Sequence, residues 1–163
     1  MDKANLLKKI VGAISSVLSS MLGILYIPVL LLVTCNVVDY TTGLIAAKYR
    51  DDGTISSYKS FRGIFKKISM WMLVVVGVVV DELLKYTTDT IGLKFPFQFL
   101  IACIVAVWLI CNELISILEN IKDAGVNIPT FLIPLVKNIK SQTEASVNIC
   151  LLYTSDAADE ARS

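Results

Sequence analysis

Apolar and polar residues alternate in blocks along this chain rather than residue by residue, and three blocks are long enough to matter on their own. The first runs over 24–47 as ILYIPVLLLVTCNVVDYTTGLIAA, with Asp39 as its single charge and Tyr26 and Tyr49 near its ends. The second has an apolar centre, MWMLVVVGVVV from Met70 to Val80, and needs its flanks, about 68–84, to reach a spanning length. That extension sets Lys66 and Lys67 at one end, free to snorkel, and Asp81 and Glu82 at the other. The third, 97–118, is FQFLIACIVAVWLICNELISIL, opening directly after Pro96. A hydrocarbon core about 30 Å thick is crossed by about 20 apolar residues in a helix, so each block predicts a transmembrane helix.

Two further segments carry a helical stripe instead of a continuous block. In the N-terminal stretch Leu6, Leu7, Ile10, Val11, Ile14, Val17 and Leu18 fall on one face beside lysines and serines. Small residues recur there every fourth position, Gly12, Ser16 and Ser20 in one row and Ser15, Ser19 and Gly23 in the next, spacing that admits a close helix neighbour. That helix either lies on the membrane or forms a fourth crossing. After the third block, GVNIP (Gly125 to Pro129) reads as a turn, and Phe131, Leu132, Leu135, Val136 and Ile139 beside Lys137 and Lys140 predict an amphipathic tail at the inner membrane face. The fold class is therefore all-α and integral to a membrane.

Composition agrees with the pattern. Of 163 residues 55% are apolar and 18% charged, and the mean hydropathy is +0.70, too apolar for a water-facing surface. Charge placement adds a direction. The segment from Lys48 to Lys67 holds Lys48, Arg50, Lys59, Arg62, Lys66 and Lys67 against Asp51 and Asp52, so it is predicted to face the cytoplasm, and the tail with Lys122, Lys137 and Lys140 then falls on the same side. Three crossings would leave Lys3, Lys8 and Lys9 outside; a fourth crossing would bring them in.

The candidate chemistry is sparse. The chain has no histidine and no paired CxxC among Cys35, Cys103, Cys111 and Cys150, and no nucleophile–base pair or glycine-rich phosphate loop. Catalysis, metal, cofactor and nucleic acid are not expected. DYTTGLIAAKY resembles the opening of the membrane alcohol phosphotransferase signature, but the further spaced aspartates that would bind its metals are missing. What remains are polar residues inside spans, which are costly there and mark helix contacts or a water-filled path. Asp39, followed by Thr42 and Gly43, is either a group governing assembly or a pore, or a protonated carboxyl hydrogen-bonded within one subunit. Asn112 and Glu113, about a turn inside the third block, are either in the same class or paired with a basic residue of the 48–67 segment.

Taken in order, DYTTGLIAAKY, ISSYKSFRGIFKK, Asp81 closing its span, NELISILEN and GVNIP resemble the toxin secretion/phage lysis holins, from the N-terminal helix to about Gln142. Pro134 departs from that pattern and suggests a later start for the tail helix. The resemblance implies a protein that inserts in the host bacterial cytoplasmic membrane, forms homo-oligomers and opens holes for an endolysin it need not touch. A holin antagonist, a membrane scaffold and a toxin-export protein are the alternatives it leaves. Residues 150–163, CLLYTSDAADEARS, resemble a translated sequencing adapter, which would confine the membrane domain to 1–149 and leave the native C-terminus missing.

Overall fold

The computed structural model describes residues 3–49, 57–92 and 99–160, all of it helices and the turns between them. Helix α1 (Lys3–Leu22) ends in a single 3-10 turn, Gly23–Leu25, before α2 (Tyr26–Tyr49); α3 (Ser57–Ile91), α4 (Leu100–Asp123) and α5 (Leu132–Glu160) follow. Gly23 takes a left-handed φ of +50°, which glycine adopts without a Cβ penalty, so the chain changes direction between α1 and α2 there. Pro28 falls in the first turn of α2, where a missing N–H costs nothing.

Among the described residues three segments are long and apolar enough to cross a membrane: Gly23–Tyr49, Gly63–Ile91 and Leu100–Asp123. They match the three predicted blocks, with one large difference in extent. The second helix does not end near Leu84 but continues seven residues to Ile91, through Lys85 and Asp89. The basic segment is also shorter as a loop than its sequence suggests, because α3 has already begun at Ser57, and Lys59, Arg62, Lys66 and Lys67 all belong to it. Arg50 and residues 51–56 lie outside the described residues, as do Pro96, Phe97 and Gln98 at the expected start of the third block.

Helix α4 is the centre of the bundle and packs against α2, α3 and α5. Its inner face buries Ala102, Ala106 and Leu109 against Leu25 and Leu32 of the α2 side and Met70 and Val74 of α3. The small side chains on α4 let the helices approach closely, and most of the energy of such a contact in lipid is van der Waals packing. The outer faces of α2 and α3 are apolar and exposed, among them Leu30, Leu31, Val37, Leu73, Val75, Val76 and Val79, as hydrocarbon contact requires. Helix α1 is exposed along most of its length; a Cβ added at Gly12 would meet nothing within 4 Å, so among the described residues no other helix packs on that position of the small-residue row.

Asp81 has a structural task that its sequence position conceals. It is 8% exposed, and its carboxylate accepts the backbone N–H of Ile101 at 2.9 Å and of Ala102 at 2.8 Å. Those two donors belong to the first turn of α4 and have no partner within the helix, and the positive end of the helix dipole favours the anion. Phe99, at the N-cap, has a left-handed φ of 58° and contributes no side-chain cap, so Asp81 substitutes for one from a different helix. We expect Asp81→Ala to cost about 1–2 kcal/mol by loss of this cap, with Asp81→Asn losing less; hydrogen–deuterium exchange at Ile101 and Ala102 reads the effect directly.

Helix α4 ends at a Schellman turn, in which Val126 N–H reaches Ile121 O and Gly125 N–H reaches Lys122 O, with Gly125 at φ +85°. The predicted GVNIP turn is therefore the C-cap of α4. Helix α5 starts at Leu132, not after Pro134: the proline occupies its first turn, where no helical N–H is needed. The tail expected to lie along the membrane face folds back along α4, burying Val136 while Leu135 and Ile139 stay exposed.

Candidate functional site

Lys67 is the hinge of a polar cluster that three helices build at one level. Asp39 lies ten residues before the end of α2, Lys67 ten residues after the start of α3, and Glu113 ten residues before the end of α4, about 15 Å of helix in each case. Because the first and third of these helices run opposite to the second, equal spacing from those ends places all three side chains in one layer.

Within it Lys67 Nζ donates to Asp39 Oδ2 at 2.8 Å, to Glu113 Oε2 at 2.5 Å and to Asn36 Oδ1 at 3.3 Å. Asn120, about two turns further along α4, donates from Nδ2 to Asp39 Oδ1 at 3.3 Å and to Thr42 Oγ1 at 3.5 Å. The Thr42 hydroxyl in turn donates to the backbone oxygens of Val38 and Asp39. Glu113 is 3% exposed, and the Lys67 and Asp39 side chains are less than a fifth exposed. Asn36 is buried, and its Nδ2 has no hydrogen-bond partner.

Two carboxylates and one ammonium so arranged form charge-assisted hydrogen bonds, which an interior of low dielectric strengthens and makes obligatory. Fourteen residues, about 21 Å of α3, separate Lys67 from Asp81, which is less than the roughly 30 Å of a hydrocarbon core, so at least one of these charged levels sits within it. Each is neutralised inside the bundle, one by ion pairing and one by a helix N-terminus.

Several sequence-predicted residues meet here. Asp39, Thr42 and Glu113 join the cluster, and Gly43 packs beside it, its missing Cβ 3.6 Å from Asn120 Nδ2. Asn112 is half-buried and stands apart from it. Lys67 is a correction: expected to snorkel to the membrane surface with Lys66, it turns inward, while Lys66 and Lys48 are exposed. Nothing is described of the Lys59 and Arg62 side chains. Asn36 and the inward role of Asn120 escaped sequence reading, although Asn36, Asp39 and Gly43 occur at helical spacing on one face of α2, a signal that was available. Asp81, which the sequence places at the end of a span, caps α4, whereas its neighbour Glu82 is exposed.

A second contact lies between α4 and α5. Trp108 Nε1 donates to Glu144 Oε1 at 2.7 Å, and Lys140 Nζ sits 4.6 Å from the centre of the Trp108 ring, in cation–π range. Among the described residues Cys35, Cys103 and Cys111 are free thiols, half-buried or buried in the bundle.

A helical membrane protein with three spans, a shared apolar core and a polar layer closed on itself is what these elements define. Its family is given by comparison: residues 16–141 match the model of the Bacteriophage holin family, and the chain belongs to that family. This is not an enzyme family. Similar curated proteins include an uncharacterized protein of Listeria monocytogenes, 37% identical over 105 residues, which are 64% of this chain and 66% of the relative. The chain thus spans just under two thirds of that relative's length. An uncharacterized protein of Halalkalibacterium halodurans is 31% identical over 135 residues, 83% of this chain and 94% of the relative. An uncharacterized 14.9 kDa protein in the nagH 3' region of Clostridium perfringens is 32% identical over 116 residues, 71% of this chain and 79% of the relative. No solved structure matches the chain.

Proposed function

We propose that this protein is a phage holin that oligomerises in the host cytoplasmic membrane and opens lesions through which an endolysin reaches the cell wall. The family match carries the reading, since it covers all of α2, α3 and α4 together with the start of α5. The geometry supports it in a specific way. The buried charges Asp39, Lys67, Asp81 and Glu113 are satisfied within one copy, so a subunit can enter the bilayer and accumulate without a partner, as a protein that must build up before acting requires. The exposed apolar faces of α2 and α3 offer the surface that meets lipid or neighbouring copies.

In this reading the shared end of α2, α3 and α4 faces the cytoplasm. Lys48 and Lys66 are exposed near that end and Lys122 lies at the end of α4, and in the sequence Arg50, Lys59 and Arg62 belong to the same basic segment; such residues attract anionic headgroups and hold the orientation. Asp39, Glu113, Thr42 and Gly43 act at contacts between helices and keep the bundle closed until copies associate. The endolysin is a functional partner that passes through the hole and need not bind.

Induced expression in a bacterium supplies the test. Membrane potential should collapse and an otherwise impermeant dye should enter, and co-expressed endolysin should then lyse the cells. Cells that hold the protein in the membrane, keep their potential and exclude the dye would refute the reading.

A further inference from the structure

Helix α5 is out of place for a helix packed on a membrane span. Trp108 lies eight residues after the start of α4 and five before Glu113, between the level of the Asp81 cap and the level of the Lys67 cluster. Lys140 and Glu144 both grip Trp108, so the docked α5 stands at hydrocarbon depth. Yet α5 is not among the helices long and apolar enough to cross a membrane. Its docked side uses Ile133, Val136, Lys140 and Thr143, each at least half-buried. The opposite side exposes Lys137, Asn138, Ser141, Gln142, Ala145 and Ser146, with Gln142 Nε2 donating to Asn138 Oδ1 at 3.1 Å along the row.

Amides, hydroxyls and an ammonium at that depth cannot face acyl chains without the desolvation penalty of an unsatisfied polar group. One copy in a bilayer offers them nothing else. Polar or irregular elements at membrane depth persist where protein buries them or water bathes them. From Lys137 to Ser146 the row is polar apart from Ala145, with the exposed Leu135 and Ile139 along one edge, and its own hydrogen bond runs along the helix, not outward to a partner. These properties suit water.

We propose that α5 lines the aqueous path: docked on α4 through Trp108, it turns the row Asn138, Ser141, Gln142 and Ala145 toward a water-filled lumen enclosed by several copies of this chain. The inference rests on the hole-forming reading and adds to it which helix meets the water. The apolar faces of α2 and α3 then point outward to lipid, the division of surfaces that a ring of subunits needs. The grip on Trp108 fixes the rotation of α5 about its axis, because Lys140 and Glu144, one turn apart, hold the ring from two sides.

The experiment uses the full chain in liposomes of phosphatidylethanolamine and phosphatidylglycerol, with its native cysteines replaced by alanine and release of an entrapped dye as the readout. Single cysteines at Asn138, Ser141 and Gln142 should react with an anionic methanethiosulfonate, and the reaction should slow dye release several-fold. Val76→Cys, on the exposed apolar face of α3, should neither react nor change release.

In the chain that keeps its own cysteines, Gln142→Lys and Gln142→Glu should shift the ion preference of the leak in opposite directions, toward anions and cations respectively. Modification of the α5 cysteines without any change in release would show a helix lying on the membrane surface and overturn the proposal. Unreactive cysteines would show α5 buried between copies and overturn it too. Liposomes that never leak, with the protein inserted, would refute the hole-forming reading itself along with this one.

Discussion

Replacing Lys67 with methionine is expected to destabilise the folded bundle by about 3–5 kcal/mol, the cost of leaving buried charges without their partner. Lys67 is the single cation between Asp39 and Glu113, and the three side chains are at most 18% exposed. Methionine fills the same volume but leaves two carboxylates facing each other in an interior where each demands a counter-charge or a proton. The loss should be partly reversed in the triple variant Asp39→Asn, Glu113→Gln, Lys67→Met, in which the charge is gone and the hydrogen-bonding amides remain. The midpoint of unfolding by SDS titration in mixed micelles measures both. A Lys67→Met protein that unfolds at the wild-type midpoint would mean that the three helices do not meet through this layer. With its carboxylates left unpaired, the Lys67→Met protein should also accumulate poorly in the membrane, since helices carrying unpaired charges insert and pack at greater cost.

Gly77→Ala is expected to destabilise the bundle by about 1–3 kcal/mol through overpacking, opposite in sign to the gain of roughly 1 kcal/mol that helix propensity alone predicts. A Cβ at this position would come 2.8 Å from the Cα and 3.2 Å from the N of Ala102, which are backbone atoms at the start of α4 and cannot rotate away. Trimming the neighbour with Ala102→Gly removes only its Cβ and so should not restore stability. Gly63→Ala on the same helix meets nothing within 4 Å and supplies the contrast: it should be neutral or mildly stabilising. Equal effects of the two substitutions would show that α3 and α4 do not approach as closely as Gly77 and Ala102 require. Gly77 and Asp81 are four residues apart and share a face, so one clears the space into which the other caps α4. Lost packing at Gly77 should therefore also increase exchange at Ile101 and Ala102.

The spans themselves were legible from run length. Gly23–Tyr49, Gly63–Ile91 and Leu100–Asp123 enclose the apolar centres of the blocks read from sequence, because the requirement to keep charge out of about 30 Å of hydrocarbon is one-dimensional and is written along the chain. The turn at Gly125 was legible for a similar reason, since a left-handed residue after an apolar helix selects glycine. Asp39 and Glu113 could be singled out as costly, and so they are. Neither their partner nor their geometry could be. Lys67 looked like one more member of a basic segment, and only the antiparallel packing of α3 between equal levels of α2 and α4 shows that it points inward.

Asp81 marks the same division. From sequence it is a charge at the end of an apolar run, and such a charge is placed at a membrane surface. In the fold the helix runs on to Ile91, and the carboxylate is taken up by two N–H groups some twenty residues away, a match between one helix face and another helix end that has no periodicity to announce it. The sequence by itself determined an all-helical membrane protein and the centres of its three crossings, because both follow from local run length and composition. The tertiary structure decided which charges neutralise which, and set α5 back along α4 by way of Trp108, because pairing energy in a low-dielectric interior depends on distances between residues far apart in the chain.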